Sequence, residues 1–173
     1  MKKNKISEYL IKVSVIGSSR QLQTRFIRSF VGGKFTPDYL TAGCDISTKW
    51  IQVDSTNIQL LLFDISGKII FNELRPKYYR GSSAALIGFD MGDRASFKAV
   101  EDWYKEFRQF IPHSTVSIAL VGLITKLEKI ITAEGQNLAE DLGIYYYETY
   151  IKDKNTIEGI FHDLAYKVLE KEV

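Results

Sequence analysis

Short apolar runs alternate with helix-like segments along this chain. Runs rich in β-branched or aromatic residues predict buried strands: "YLIKVSVIG" (residues 9–17), "AALIGFD", "VSIALVGL" and "IYYYET". The segments "DISTKWIQV" and "NIQLLLFDI" flank an Asp54-Ser55 turn, a pattern that predicts a β-hairpin.

Apolar residues with helical spacing fill the segments between the strands. We expect a first helix from about Thr24, and a helix "AEGQNLAEDLG" that is closed by Gly143. Two further helices are predicted because apolar residues recur on one helical face. The first has Phe97, Val100, Trp103, Tyr104 and Phe107, and the terminal helix has Ile157, Ile160, Phe161, Leu164 and Val168. The alternation predicts an α/β fold: a mostly parallel sheet with helices on both faces, in a single domain over residues 1–173.

The composition argues against several classes of protein. The chain has 173 residues, 45% of them hydrophobic, and its net charge of +2 is too small to indicate nucleic-acid binding. A membrane span needs roughly 18 uninterrupted apolar residues, and the sequence has no such run. The N-terminus lacks the apolar core of a signal peptide, and Cys44 is the single cysteine, so we expect a cytoplasmic protein. His113 and His162 are too far apart in sequence to indicate a metal site.

The segment after the first strand has the outline of a phosphate-binding loop. In such loops the pattern G-x-x-x-x-G-K-[ST] wraps phosphates with backbone N–H groups. Here "VIGSSRQLQTRF" keeps Gly17 and Thr24, but Leu22 stands for the second glycine and Gln23 for the lysine. In parallel sheets ligands bind beyond the carboxyl ends of the strands, which directs attention to this loop and to the segments after the later strands.

The motifs and their order resemble the Ras superfamily of small GTPases, and the Rab proteins most closely. The resemblance covers roughly residues 12–169 and is carried by "ELRPKYYRGSSAALIGFDMGDRASF", "DYLTAGCDI", "LLFDISG" and "AEGQNLAEDLGIYYYET". It implies the three-layer P-loop NTPase fold, with a six-stranded, mostly parallel sheet, one antiparallel edge strand and helices on both faces. It also suggests a place in vesicle trafficking.

The resemblance implies a nucleotide site that is only partly kept. Three residues match groups that serve magnesium in the family: Thr24, Thr41 and Asp64. The same residues suit helix caps and turns without any metal, so both interpretations stand. Gln23 cannot supply the positive charge of the family's lysine. Arg20 is either a substitute cation or a solvated surface arginine, and we favour the second.

The hydrolysis and base-binding motifs depart further from the family. After the D-x-x-G glycine, Gly67, the family's water-orienting glutamine is replaced by Lys68, which cannot accept a proton, so no catalytic residue is predicted. The guanine-binding N-K-x-D aligns with Leu123, Ile124 and, at the aspartate, Lys126. The last base-side element is Tyr150, Ile151 and Lys152, whose first two residues are bulky enough to fill the space of a base.

These departures predict a small-GTPase fold that has lost normal GTP binding and hydrolysis. The remaining role would be that of an adaptor or assembly subunit that binds a protein partner on its switch I and switch II side. We define the partner face as Ile46, Trp50, Phe63 and Tyr78. Its aromatic residues suit an interface hot spot, although Phe63 and Tyr78 would also pack a sheet against a helix.

Two alternatives remain open at this point. One is a divergent GTPase that binds GTP or GDP with Mg²⁺ and hydrolyses slowly or with an accessory protein; the other is a sensor of phosphate ligands with relaxed base choice. Without a working site we expect no cofactor. The sequence ends in "YKVLEKEV" without a cysteine for prenylation, so either a tail is missing from this sequence or the protein carries no lipid anchor. We expect no membrane association from this chain.

Overall fold

A six-stranded sheet forms the middle layer of the protein. The structure, a computed structural model, describes residues 7–32, 43–112, 115–125 and 130–172. The strands follow the spatial order β2-β3-β1-β4-β5-β6, and their bounds are β1 Ser7–Gly17, β2 Cys44–Val53, β3 Thr56–Ile65, β4 Ala84–Asp90, β5 Ser117–Ile124 and β6 Tyr145–Tyr150.

The predicted hairpin forms the edge of this sheet. Strand β2 runs antiparallel to β3, with Val53 opposite Thr56 and Ile46 opposite Phe63. Asp54 in the turn has a positive φ of 52°, a conformation that aspartate tolerates better than most residues. All other neighbouring strands pair in parallel. The prediction of a mostly parallel sheet with one antiparallel edge strand is therefore confirmed.

Helices cover both faces of the sheet, as predicted. Their bounds are α1 Arg20–Val31, α2 Arg75–Tyr79, α3 Arg94–Lys98, α4 Val100–Phe110, α5 Thr132–Leu142 and α6 Lys154–Glu172. On one face, Phe26 and Phe30 of α1 stack on Phe161 of α6, with ring centroids 5.2 and 4.0 Å apart. On the other face, Tyr79 of α2 meets the ring of Phe107 of α4 edge-on at 5.2 Å. Side chains that alternate along the strands fill both interfaces.

Local signals located the later helices well. Gly143 ends α5 in the left-handed conformation, with φ 66°, as the sequence predicts. The stripe from Phe97 to Phe107 was predicted as one helix and forms two, α3 and α4, which meet at Ala99. Because Ala99 keeps a nearly helical backbone (φ −76°, ψ −9°), the apolar stripe still faces the sheet.

Within the residues that the structure describes, no helix combines the length and the apolar character that crossing a membrane requires.

Candidate functional site

The segment that matches the phosphate loop continues directly into a helix. Gly17 ends β1, and α1 begins at Arg20. The predicted start near Thr24 was therefore wrong by about one turn. The N–H of Gln23 donates to the carbonyl of Ser19 at 3.0 Å, an ordinary helical bond. Arg, Gln and Leu favour helix, and no second glycine opposes it, so the helix reaches back into the loop.

Gly17 has a structural reason to be glycine that involves no ligand. Its φ is 147°, and a Cβ at this position would lie 2.2 Å from the carbonyl oxygen of Gly88 on β4. Only a residue without a side chain permits that approach of two backbones. Gly17 by itself is therefore no sign of a working phosphate loop.

Leu22 and Gln23 both point into the protein. Leu22 is buried in the core between the sheet and α1. Gln23 is 1% exposed; its Nε2 donates to the carbonyl of Val15 at 3.3 Å, and its Oε1 has no hydrogen-bond partner among the described residues. The side chain at the family's lysine position thus folds back on β1.

Thr24 and Asp64, two of the predicted magnesium residues, are in direct contact. The Thr24 hydroxyl donates to Oδ2 of Asp64, which lies near the end of β3. Asp64 is 4% exposed, and its Oδ1 has no partner within the described chain. Burial raises the pKa of this carboxyl above its usual value, against the opposing effects of the Thr24 hydrogen bond and the charge of Arg20. Thr41, the third predicted residue, lies outside the described residues.

Arg20 is not the solvated surface arginine that we favoured from the sequence. Its side chain is half-buried, and its Nη1 is buried without a partner among the described residues. Its charge lowers the pKa of both Asp64 and Cys44, although burial leaves each pKa raised overall. Because one guanidinium nitrogen is buried and its charge acts on Asp64, the substitute cation is the better interpretation.

Trp103 of α4 joins the phosphate-loop segment to the D-x-x-G loop. Its Nε1 donates to the hydroxyl of Ser18 at 3.0 Å. The ring also lies against Gly67, where an added Cβ would be 2.9 Å from Trp103 and 3.1 Å from the carbonyl oxygen of Gly17. The two loops that enclose the phosphates in the family are therefore held together here by contacts within the chain.

The segment after Gly67 is anchored to α4 by a charged cluster. Arg75 of α2 donates from Nε and Nη2 to the two carboxylate oxygens of Glu106, both at 2.7 Å, and from Nη1 to the carbonyl of Lys68 at 3.2 Å. The Tyr79 hydroxyl donates to Glu106 at 2.6 Å. Although burial alone would raise it, the pKa of Glu106 is lowered by these two donors. The Arg75 guanidinium also lies over the Trp103 ring, 5.1 Å from its centroid.

Sequence reasoning missed this cluster, which we call the Arg75 anchor: Arg75, Tyr79, Trp103 and Glu106. Arg75 and Glu106 are 31 positions apart, on different helices, and no short motif joins them. The one available signal was an arginine with a proline after it inside the run "ELRPKYYRG". Lys68, predicted to replace the catalytic glutamine, has an exposed side chain.

In the part of the site where the family binds guanine, β5 contributes apolar side chains, and an exposed lysine follows β6. Leu123 and Ile124, at the positions of the family's asparagine and lysine, are buried in β5. Ile151 is also buried, as the prediction of a filled base site requires, but Tyr150 is 57% exposed and does not fill that space. Lys152 is exposed. Lys126 lies outside the described residues.

The predicted partner face is partly open and partly packed. On β2, Ile46 and Trp50 are 57% and 55% exposed. Phe63 and Tyr78 are half-buried against the core, and the Lys12 ammonium lies 4.0 Å from the centroid of the Phe63 ring. Each interpretation from the sequence therefore describes part of the face. Ile46 and Trp50 on β2 offer exposed apolar surface for a partner, whereas Phe63 and Tyr78 also pack the sheet.

Two exposed isoleucines next to this face were missed. Ile69 and Ile70 are 82% and 78% exposed in a short 3₁₀ turn after Gly67. Phe71 of the same turn packs on Gly43, just before β2; a Cβ on Gly43 would lie 2.6 Å from the Phe71 ring. The isoleucines therefore lie beside the start of β2, and an Ile-Ile pair in a polar loop was the signal for them.

The family implies a magnesium ion and a guanine nucleotide at this site. The residues present fit the magnesium ion but not the guanine base. The Thr24 hydroxyl and the Asp64 carboxylate, with Oδ1 lacking a partner in the described chain, would hold a magnesium ion, which supplies positive charge beside phosphate oxygens. The inward Arg20 would contact an anion. In contrast, Leu123 and Ile124 offer a guanine base no side-chain hydrogen bond.

Comparison with known proteins agrees with this fold. A profile of the Ras family matches residues 12–170. Ras-related protein Rab-11B of Dictyostelium discoideum is 34% identical over 161 residues, covering 91% of this chain and 73% of that protein. Ras-related protein RAB1BV of Beta vulgaris is 30% identical (95% and 78%), and GTP-binding protein Rab-3D of Rattus norvegicus 29% (95% and 76%). This chain belongs to the Ras family of small GTPases. Within that family it is Rab-like.

Proposed function

We propose that this Rab-like protein has lost normal GTP binding and turnover and binds a protein partner on a face that no nucleotide controls. The observation that carries the proposal is the Arg75 anchor. In a switch, the loop after the D-x-x-G glycine is ordered by the nucleotide's last phosphate. Here Arg75, Glu106 and Trp103 order it through contacts inside the chain.

The phosphate-loop segment supports the same proposal. A lysine at position 23 would contact phosphates, and such a charge-assisted bond contributes about 1.5–3 kcal/mol. Gln23 instead donates to Val15 inside the protein. Lys68 has no acceptor with which to orient an attacking water. Binding would therefore be weak and hydrolysis very slow.

The partner face supplies what an adaptor needs. Ile46 and Trp50 present large apolar side chains on an edge strand, with Ile69 and Ile70 next to them. Apolar side chains grouped in this way mark interaction sites, and a tryptophan near the centre is a frequent hot spot. Because the Arg75 anchor holds the neighbouring loop, this surface would keep one arrangement with GTP, GDP or neither.

The nucleotide content of the purified protein tests the first half of the proposal. We expect less than stoichiometric guanine nucleotide after denaturation and chromatography, and no rise in melting temperature with GTP and Mg²⁺. The rat GTP-binding protein Rab-3D, prepared in parallel, is the positive control. One guanine nucleotide per protein would contradict the proposal.

Capture of protein partners tests the second half. We expect the same bound proteins with GTP, GDP or no nucleotide, and their loss with Trp50→Ser, since truncating a hot-spot residue costs about 2 kcal/mol or more. Tyr145→Ser on β6 is the matched control, because Tyr145 is also exposed (37%) and β6 lies at the opposite edge of the sheet from β2. A partner that binds only with GTP, or that ignores Trp50→Ser, would overturn the adaptor role.

A divergent GTP-binding regulator is the second candidate, and specific observations favour it. Thr24 still contacts Asp64, Asp64 Oδ1 lacks a partner among the described residues, and Arg20 has turned inward. These groups would serve magnesium and a phosphate without the usual lysine. The nucleotide measurement separates the two candidates, since this one requires bound GTP or GDP.

A further inference from the structure

A basic cleft lies between α1 and the turn that joins β6 to α6. Its volume is about 550 Å³, within the range of small-molecule sites. Four cations line it, two from each side: Arg25 and Arg28 on α1, and Lys152 and Lys154 beside the start of α6. Ile151 is also part of the lining, which places the cleft on the base side of the site.

The cleft is separate from the Thr24–Asp64 contact. Arg25, Arg28 and Ser29 have the spacing i, i+3, i+4 and so share one face of α1. Thr24 is directed toward β3, where its hydroxyl meets Asp64. A ligand in the cleft would therefore be held by a different set of side chains from those that would serve magnesium.

The carboxylates beside the cleft in the described chain are engaged elsewhere. Asp153, between the two lysines, accepts from the N–H and hydroxyl of Thr156, at 3.1 and 2.7 Å, and so caps α6. Glu158 is paired with Lys49 at 2.7 Å. Among the described lining residues there is no Asp or Glu. The cations therefore face one concavity without an acidic side chain from its described walls.

The cations that line the cleft favour an anionic ligand. A nucleotide base is uncharged and would bring no counter-charge to the cations of the cleft. Phosphates suit the cleft better, because arginine guanidinium binds phosphate oxygens in pairs and lysine adds point charge. The start of α6 contributes further positive potential. We propose that the basic cleft binds a small polyphosphorylated anion through Arg25, Lys152 and Lys154, independently of the partner face.

Calorimetry with inositol hexakisphosphate and with inorganic tripolyphosphate tests this site. We expect binding to the wild type that weakens with salt, and a loss of about tenfold or more in Arg25→Gln/Lys152→Gln. The matched control Arg80→Gln/Lys98→Gln removes the same charge from exposed positions on α2's end and α3, and we expect affinity within about twofold of the wild type. All four residues are exposed, so the variants should fold normally, which melting curves check.

The arms of the experiment also separate two sources of the phosphates. Flotation with phosphatidylcholine vesicles, with and without phosphatidylinositol bisphosphate, asks whether a lipid headgroup is accepted. Binding to both the soluble probes and these vesicles assigns a headgroup; binding to the soluble probes alone assigns a free anion. No binding of either probe by the wild type, or equal losses in the two double variants, would overturn the proposal.

Discussion

Asp64 and Glu106 both lie at the edge of the candidate site, yet their pKa values shift in opposite directions. Asp64 has a hydroxyl donor and two arginines, Arg20 and Arg28, that act only at a distance, so burial dominates and its pKa is raised. Glu106 receives two hydrogen bonds from Arg75 and one from Tyr79, and its pKa is lowered. The comparison teaches that only one of the two carboxylates is hydrogen-bonded to a cation within the described chain.

Because the two pKa values shift in opposite directions, the charges of Glu106 and Asp64 have opposite effects on the stability of the fold. A lowered pKa means that charged Glu106 stabilises the fold above its usual pKa of 4.5, and this contribution is lost as the pH falls through the folded pKa. A raised pKa means that charging Asp64 destabilises the fold as the pH rises above its usual 3.8. Glu106 belongs to a complete structural cluster, whereas no cation is hydrogen-bonded to Asp64 among the described residues.

The largest expected effect comes from breaking the Arg75 anchor. Arg75→Met should lower the free energy of unfolding at neutral pH by about 2–4 kcal/mol, because it leaves Glu106 charged and partly buried without its cation. Urea denaturation measures this. Lys105→Met is the control: its pair with Glu101 is exposed (67% and 54%), so the loss should stay below about 1 kcal/mol. Equal losses in the two variants would show that the anchor is an ordinary surface pair.

A smaller effect, of opposite sign, is expected at the other carboxylate. Asp64→Asn should raise the free energy of unfolding at pH 7 by about 1 kcal/mol, because it removes a buried charge to which no cation is hydrogen-bonded among the described residues. The gain should shrink as the pH falls through the raised pKa toward 3.8, because the carboxyl of the folded wild type becomes neutral. Thermal denaturation in metal-free buffer at several pH values measures this. A loss of stability at pH 7 would mean that Asp64 has a cation we have not identified.

The smallest expected effect concerns the hydroxyl of Thr24. Thr24→Val removes the described hydrogen bond to Asp64 and should cost about 0.5–1.5 kcal/mol at pH 7. Thr132→Val, which removes an exposed hydrogen bond to Glu148 (3.0 Å), serves as the comparison and should cost less. Urea denaturation of both variants, repeated on an Asp64→Asn background, measures the coupling. If Thr24→Val costs the same on both backgrounds, the contact does not depend on the charge of Asp64.

Local patterns in the sequence determined most of the architecture. Apolar runs with turn residues between them located β1, the hairpin at Asp54 and the end of α5 at Gly143, because strand burial, turns and helix caps depend on residues only a few positions apart. The identities of Gln23, Lys68 and Leu123 likewise predicted from the sequence which nucleotide contacts would differ from the family's. No structure was needed for either conclusion.

The tertiary structure alone decided how those changes are accommodated. The contacts of Trp103 with Ser18 and of Arg75 with Glu106 join residues 85 and 31 positions apart, which no motif or periodicity connects. Arg20 begins a helix that starts earlier than the loop spacing implies, and the basic cleft arises because α1 and the start of α6 lie side by side on one face of the sheet. Charges distant in sequence acquire their effect through packing, since burial and neighbouring charges set the free energy of each ionised group.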